Sequence, residues 1–224
     1  MSKQNKTILT IAVILIALLA LFFVLSKNRL SQVKENGGSA GAARPISSAD
    51  HLKGQAGAPV EMIVYSDFEC PFCAQFADTM EKIEGYFRSQ IVIAFRHYPL
   101  PGHPDAQQAA EASECAAEQG KFWEMHDKLF ADNAAGRMSV GQFKQDAADL
   151  GLNQEQFNQC LDSGQYRNKV SEQKAAGGEA GVTGTPTSFI NGFIYPGAYP
   201  FEDFTSPDGT PEKGMKTIIS NLLQ

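Results

Sequence analysis

The sequence has no G-x-G-x-x-G, no P-loop and no EF-hand pattern, which removes the common dinucleotide, nucleoside-triphosphate and calcium sites. It has no internal repeat, so a solenoid or propeller is excluded. Basic charge is scarce beyond the N-terminal stretch. The first 55 residues carry seven Lys/Arg and two Asp/Glu; since the 224-residue chain is −6 overall, the remaining 169 residues carry −11. A body that acidic is a poor nucleic-acid binder. Cysteine is scarce too: there are four, Cys70, Cys73, Cys115 and Cys160, and only the first two are close. A structural zinc site usually needs two close pairs. His97, His103 and His126 show no ligand spacing with one another, so no metal site is expected.

Charge is missing altogether from Thr7 to Leu25, "TILTIAVILIALLALFFVL", nineteen residues. As a helix this is roughly 28 Å long, close to the ~30 Å hydrocarbon core of a bilayer. A cleaved signal peptide competes with an uncleaved anchor, but the nearest good A-x-A match, Ala40-Gly41-Ala42, lies far beyond Leu25. An anchor over residues 1–27 is therefore expected. Lys3 and Lys6 precede the span and Lys27, Arg29 and Lys34 follow it, so charge alone sets no orientation. Residues 28–57, rich in Gly, Ser and Ala and without apolar periodicity, read as a flexible tether to a globular domain over 58–224.

Within that domain, "VEMIVYS" (Val60 to Ser66) is a short apolar, β-branched run that predicts a buried strand. From Pro71 the pattern turns helical, and Phe72, Phe76, Met80, Ile83 and Phe87 form a stripe expected to face a core. "QIVIAFRHYPL" predicts a second strand, which completes a βαβ unit. Residues 104–180 hold no convincing strand. Helices are expected instead over Asp105–Gln119, Phe122–Ala131, Val140–Leu150, Gln154–Leu161 and from about Tyr166, with glycines in the gaps. "TSFI" and "FIYP" flank Asn191-Gly192, a strong hairpin signal, and "MKTIISNLL" closes as a helix. The order is that of an α/β thioredoxin fold interrupted by an α-helical insertion. Trp123, Phe122, Phe130, Phe143 and Phe157 lie at helical spacing and are expected in the core. His126 is read as a packed or surface histidine. His103 could lie near a site rim, but the sequence fixes no partner for it, and a turn histidine is the simpler reading.

The pair in "SDFECPFCAQF" carries the chemistry. Cys70 falls where a strand hands over to a helix, with Pro71 at the favoured first helical position. Unpaired N–H groups and the helix dipole stabilise a thiolate there. Cys73, one turn on, is expected to be more buried and suited to resolving a mixed disulfide. A thiolate pKa near ~5.5 would favour the reduced pair by ~2 kcal/mol at pH 7, or roughly 45 mV of oxidising power.

Strand, "CPFC", helix, "GKFWEMHDKLF" in a helical insertion and "GVTGTPTSFING" before a hairpin together resemble the DsbA-like thiol–disulfide oxidoreductases of the thioredoxin superfamily, over roughly residues 58–222. The resemblance implies that Pro186 is cis and lies beside the active-site disulfide. It implies that Thr185 presents its backbone to an extended client peptide, with Pro71 and Phe72 completing the contact surface. Oxidising members often carry histidine where this chain has Phe72. Many thioredoxin-fold proteins have a buried acid at the position of Val64; here Asp67 and Glu69 are nearer and are candidates for tuning, or else solvated acids.

Cys115 and Cys160 are buried free thiols or a structural disulfide, the latter favoured outside the cytoplasm. The resemblance implies a membrane-tethered, extracytoplasmic enzyme without a bound cofactor. It is expected to act as a monomeric oxidase of client proteins with cysteine thiols, reoxidised by a membrane-embedded, quinone-linked partner. A reductase or isomerase of the same fold, or a binding module with two structural disulfides, are the alternatives.

Overall fold

The computed structural model describes residues 41–224. The anchor expected over 1–27 and residues 28–40 of the expected tether lie outside the described residues. Among the described residues, no helix is long and apolar enough to cross a membrane.

Five strands form one sheet: β1 (His51–Gly54), β2 (Val60–Ser66), β3 (Ile91–His97), β4 (Thr187–Ile190) and β5 (Phe193–Pro196), in the order β1-β3-β2-β4-β5. β2 and β3 run parallel, joined by helix α1 (Pro71–Phe87); the other pairings are antiparallel. β2 is central and its two faces feed separate cores. Met62 and Val64 pack with α1 and the helical insertion, whereas Ile63 and Tyr65 pack with Ala94, Phe189 and Val182 on the other side. A strand covered on both faces needs apolar residues at successive positions, which is why "VEMIVYS" shows no alternation. Asn191 and Gly192, at φ 46° and 85°, make the two-residue turn between β4 and β5 that this dipeptide favours.

Between β3 and β4 lie α2 (Ala106–Ala117), α3 (Phe122–Ala134), α4 (Val140–Asp149), α5 (Gln154–Ser163) and α6 (Arg167–Glu179). Their ends follow local chemistry. Ser139 and Asn153 cap α4 and α5 by accepting from Gln142 and Gln156 N–H, and Gly164 ends α5 at φ 65°. α6 approaches the sheet at Gly177, where a Cβ would stand 2.8 Å from the Tyr65 ring and 2.9 Å from Tyr98. The last helix, α7 (Met215–Leu222), buries Met215, Ile218 and Ile219. Phe143 and Phe157 are fully buried, Phe122 and Phe130 nearly so. Trp123 is only partly buried and donates its indole N–H to the Leu52 carbonyl at 3.0 Å.

Two expectations are corrected, and one element had not been expected. The tether does not run to residue 57: residues 51–54 are a strand on β3, and Ala43 and Ile46 pack on the sheet. Buried Arg96 fastens this segment, donating to both Asp50 carboxylate oxygens at 2.7 and 3.0 Å, and to the Arg44 and Pro45 carbonyls and the Tyr65 hydroxyl. A four-residue edge strand is too short to show a period. The loop before α7 also holds a small hairpin, β6 (Phe204–Thr205) with β7 (Pro211–Glu212). Finally, Phe72 does not belong to the core stripe of α1. It is 60% exposed, and Cys73 heads the stripe with Phe76, Met80, Ile83 and Phe87. Positions 72 and 73 both lie about one turn before Phe76, and it is Cys73 that faces the core, which turns Phe72 outward.

Candidate active site

The turn after β2 delivers Cys70 to the N-cap of α1, at φ −80° and ψ 122° with Pro71 next. No oxygen side chain caps this helix end. Cys70 takes that place, and the N–H groups of Cys73 and Phe72 favour its anion, although the Cys73 N–H also donates to the Cys70 carbonyl at 3.0 Å. Both cysteines are free thiols and both are buried.

Their environments differ in sign. Cys70 is pushed down to about 6, chiefly because the Cys73 thiol donates to it. Burial opposes this, but the N–H groups of Cys73 and Phe72 and the Thr185 hydroxyl add to it. Cys73 is pushed far up, first by burial and then by holding its proton toward Cys70. One sulfur is therefore an anion at neutral pH and its neighbour remains a thiol.

β4 lies antiparallel beside β2, with Thr187 opposite Tyr65. That register places the preceding loop against Cys70. The Thr185–Pro186 bond is cis, and the Thr185 carbonyl oxygen lies 3.5 Å from the Cys70 Sγ. Thr187 and Gly197 hold the loop, through the Thr187 hydroxyl to the Gly184 carbonyl at 2.7 Å and the Gly197 N–H to the Pro186 carbonyl at 2.8 Å. Pro71 and Phe72 stand exposed beside the buried sulfurs.

Asp67 is at the hub of the turn. Its N–H donates to the Cys73 Sγ at 3.4 Å and its carbonyl accepts the Cys70 N–H at 3.1 Å. Its fully buried carboxylate accepts from the N–H groups of Glu69 and Leu100, each at 2.8 Å, and from His103 Nδ1 at 2.7 Å. Glu69 accepts the Asp105 N–H at 2.7 Å. Neither acid is a loose solvated carboxylate. Val64, where many relatives of the fold carry an acid, is buried in the apolar core.

His103 has a partner after all, one that a separation of 36 positions hid from the sequence. Burial alone would lower its pKa, but the bond to Asp67 and the charges of Asp67, Cys70 and Glu69 raise it. Away from this site, Cys115 on α2 and Cys160 on α5 form a disulfide. Buried Glu114 accepts from His51, His97 and Lys169, a cluster that no spacing announced within an alanine-rich helix. His126 is packed among Phe68, Phe95 and Phe130. Among the described residues, no group of three or more His, Cys, Asp or Glu could hold a metal ion.

A thioredoxin family model matches residues 47–206, beginning inside the segment expected to be a tether. The Na(+)/H(+) antiporter NhaA 3 of Salinispora tropica is 38% identical over 154 residues, which are 68% of this chain and 23% of that protein. The chain thus spans about a quarter of the length of the curated relatives it matches. Oxidised BdbD from Bacillus subtilis superposes with a TM-score of 0.68 at 22% identity, covering 82% of this chain and 98% of that one. Alpha-DsbA1 of Wolbachia pipientis gives 0.61 at 23% identity, over 80% and 92%. With Cys70 capping α1 and a helical block inserted between β3 and β4, the chain belongs to the thioredoxin family and has the fold of the DsbA-like thiol–disulfide oxidoreductases.

Proposed function

We propose that this protein is a thiol–disulfide oxidoreductase acting outside the cytoplasm as a moderate disulfide donor to client proteins. The observation that carries this reading is the contrast between the two thiols, with Cys70 held near 6 and Cys73 held protonated. In the oxidised state, a client thiolate attacks the Cys70 sulfur. Cys73 leaves and takes a proton, for which its buried site is suited. A second client thiol then attacks the mixed disulfide, and Cys70 departs readily because its thiolate is stabilised. The client loses two electrons and two protons, and the Cys70–Cys73 disulfide becomes one thiolate and one thiol. Exposed Phe72 and the Thr185–Pro186 loop give an extended client segment its contacts beside the sulfur.

The magnitude limits the claim. A Cys70 pKa of about 6 stabilises the reduced form at pH 7 by ~1.4 kcal/mol, worth ~30 mV. Set against thioredoxin, whose cysteine lies near ~7 and whose potential is about −270 mV, this points to roughly −240 mV. Turnover then requires an oxidant, and the reading assigns this to a quinone-linked protein in the membrane that anchors residues 1–27. Two findings support the setting. The relatives sharing this domain are named as antiporters, and one structural neighbour, from Salmonella enterica, is described as a periplasmic thioredoxin-like protein.

The test is the reduction potential of the Cys70–Cys73 pair, equilibrated against glutathione. A value clearly above about −270 mV is expected of a donor. A value at or below it would make the protein a reductase, a reading favoured by Phe72, whose side chain offers the thiolate no proton. A pair that never equilibrates would leave a binding module with structural disulfides.

A further inference from the structure

We propose that His103, held by Asp67, is a positioning residue whose imidazolium is the cationic partner of the Cys70 sulfur, filling the part that Phe72 cannot play. The inference rests on Cys70 being the reacting sulfur.

Three observations lead there. First, one residue ties the imidazole to both cysteines. Asp67 takes the Cys70 N–H on its carbonyl, gives its own N–H to Cys73, and takes the His103 Nδ1 proton on its carboxylate. A hydrogen bond of 2.7 Å to a carboxylate with no solvent exposure fixes which ring nitrogen carries the proton and favours the charged ring. Second, the loop that presents His103 is constrained. The Leu100 carbonyl accepts the His103 N–H at 3.1 Å, closing a turn with Pro101 at its second position, and Pro104 follows. Leu100 N–H is itself pinned to Asp67. Third, Asp67 on the β2–α1 turn touches the His103 ring, and the charges of Asp67, Cys70 and Glu69 on that turn all favour its protonated form. Asp105, the nearest acid on its own loop, is bound through its N–H to Glu69.

The consequence is a redox-linked proton. The Cys70 anion exists when the pair is reduced and vanishes when the Cys70–Cys73 disulfide closes. His103 therefore holds its proton more tightly in the reduced protein, and by reciprocity the protonated ring favours the reduced protein. On reduction by a client dithiol, two protons are released; one ends on Cys73, and His103 takes up part of the other. The His103 side chain is 25% exposed, so it exchanges with water directly. A histidine that merely braced the turn would titrate alike in both states.

The experiment is an NMR titration of the His103 ring in the full chain, oxidised and then reduced. A midpoint higher in the reduced state by about half to one unit is expected for a partly exposed charge pair. In His103→Gln the alkylation midpoint of Cys70, about 6 in the native chain, should rise, cutting the thiolate fraction at pH 5 about three- to tenfold. His103→Lys, which keeps a cation there, should recover most of that loss. Equal ring midpoints in the two states overturn the proposal, and so does an unmoved Cys70 midpoint in a folded His103→Gln. The wild-type titration stands even if the variants fail to fold. Failure of the native Cys70–Cys73 pair to exchange with glutathione would instead overturn the donor reading itself.

Discussion

The carbonyl oxygen of Thr185 lies 3.5 Å from the Sγ of Cys70, joining residues 115 positions apart. The two ends of Thr185 act oppositely on that sulfur. Its carbonyl accepts from a thiol and repels an anion. Its hydroxyl is buried without a hydrogen-bond partner, and it lowers the pKa of both cysteines.

Thr185→Val keeps the shape and removes the hydroxyl. The Cys70 midpoint should rise from about 6 by about half a unit, read from the pH dependence of iodoacetamide alkylation. The pair should become more reducing by up to ~15 mV. An unchanged alkylation profile would show that the hydroxyl does not reach the sulfur.

The Cys115–Cys160 disulfide closes a loop of 45 residues between α2 and α5, well away from Cys70 in the chain. Replacing both cysteines with alanine should cost about 4 kcal/mol of stability, measured by urea unfolding. Glutathione exchange at Cys70–Cys73 should continue at the native potential. A change in that potential would reveal electron transfer between the two pairs.

Acid should weaken the fold in two stages. Burial lowers the pKa of His97 and His126 below the unfolded value, so the unfolded chain takes up protons first. Their contribution is present above about pH 6.5 and declines as pH falls below it. Burial of Glu114 is outweighed by its bonds to His51 and His97, and its pKa is depressed. Its contribution is present above about pH 4.3 and is lost as pH falls below that. Glu114→Gln leaves Lys169 without its counter-charge and should cost about 3 kcal/mol at pH 7. Urea midpoints from pH 7 to 3 should flatten below about pH 4.3 in the variant relative to the native chain. Parallel curves in this acid range would place the acid lability elsewhere.

Features that depend on neighbouring residues were legible in the sequence. The N-cap position of Cys70, the Asn191-Gly192 turn and the helix breaks at Gly136 and Gly164 each rest on φ/ψ and hydrogen bonds within a few residues. Phe72 misled because positions 72 and 73 both lie about one turn before Phe76, and the helical period alone does not choose between them. β1 was missed because its support comes from β3 and from Arg96, about forty residues away. His103 was read as a turn histidine, which it is; its chemistry comes from Asp67, on the other side of α1 and β3 in the chain.

The sequence by itself determined the fold class, the placing of the Cys70–Cys73 pair at a helix start and the asymmetry between its members, because a helix start stabilises a thiolate wherever it occurs. Only the tertiary structure decided what surrounds that pair. The approach of Thr185, the burial of Asp67 and the capture of His103 all follow from strands β2 and β4 lying side by side and from one loop folding over another. Such contacts join residues separated by tens of positions, and no local preference encodes them.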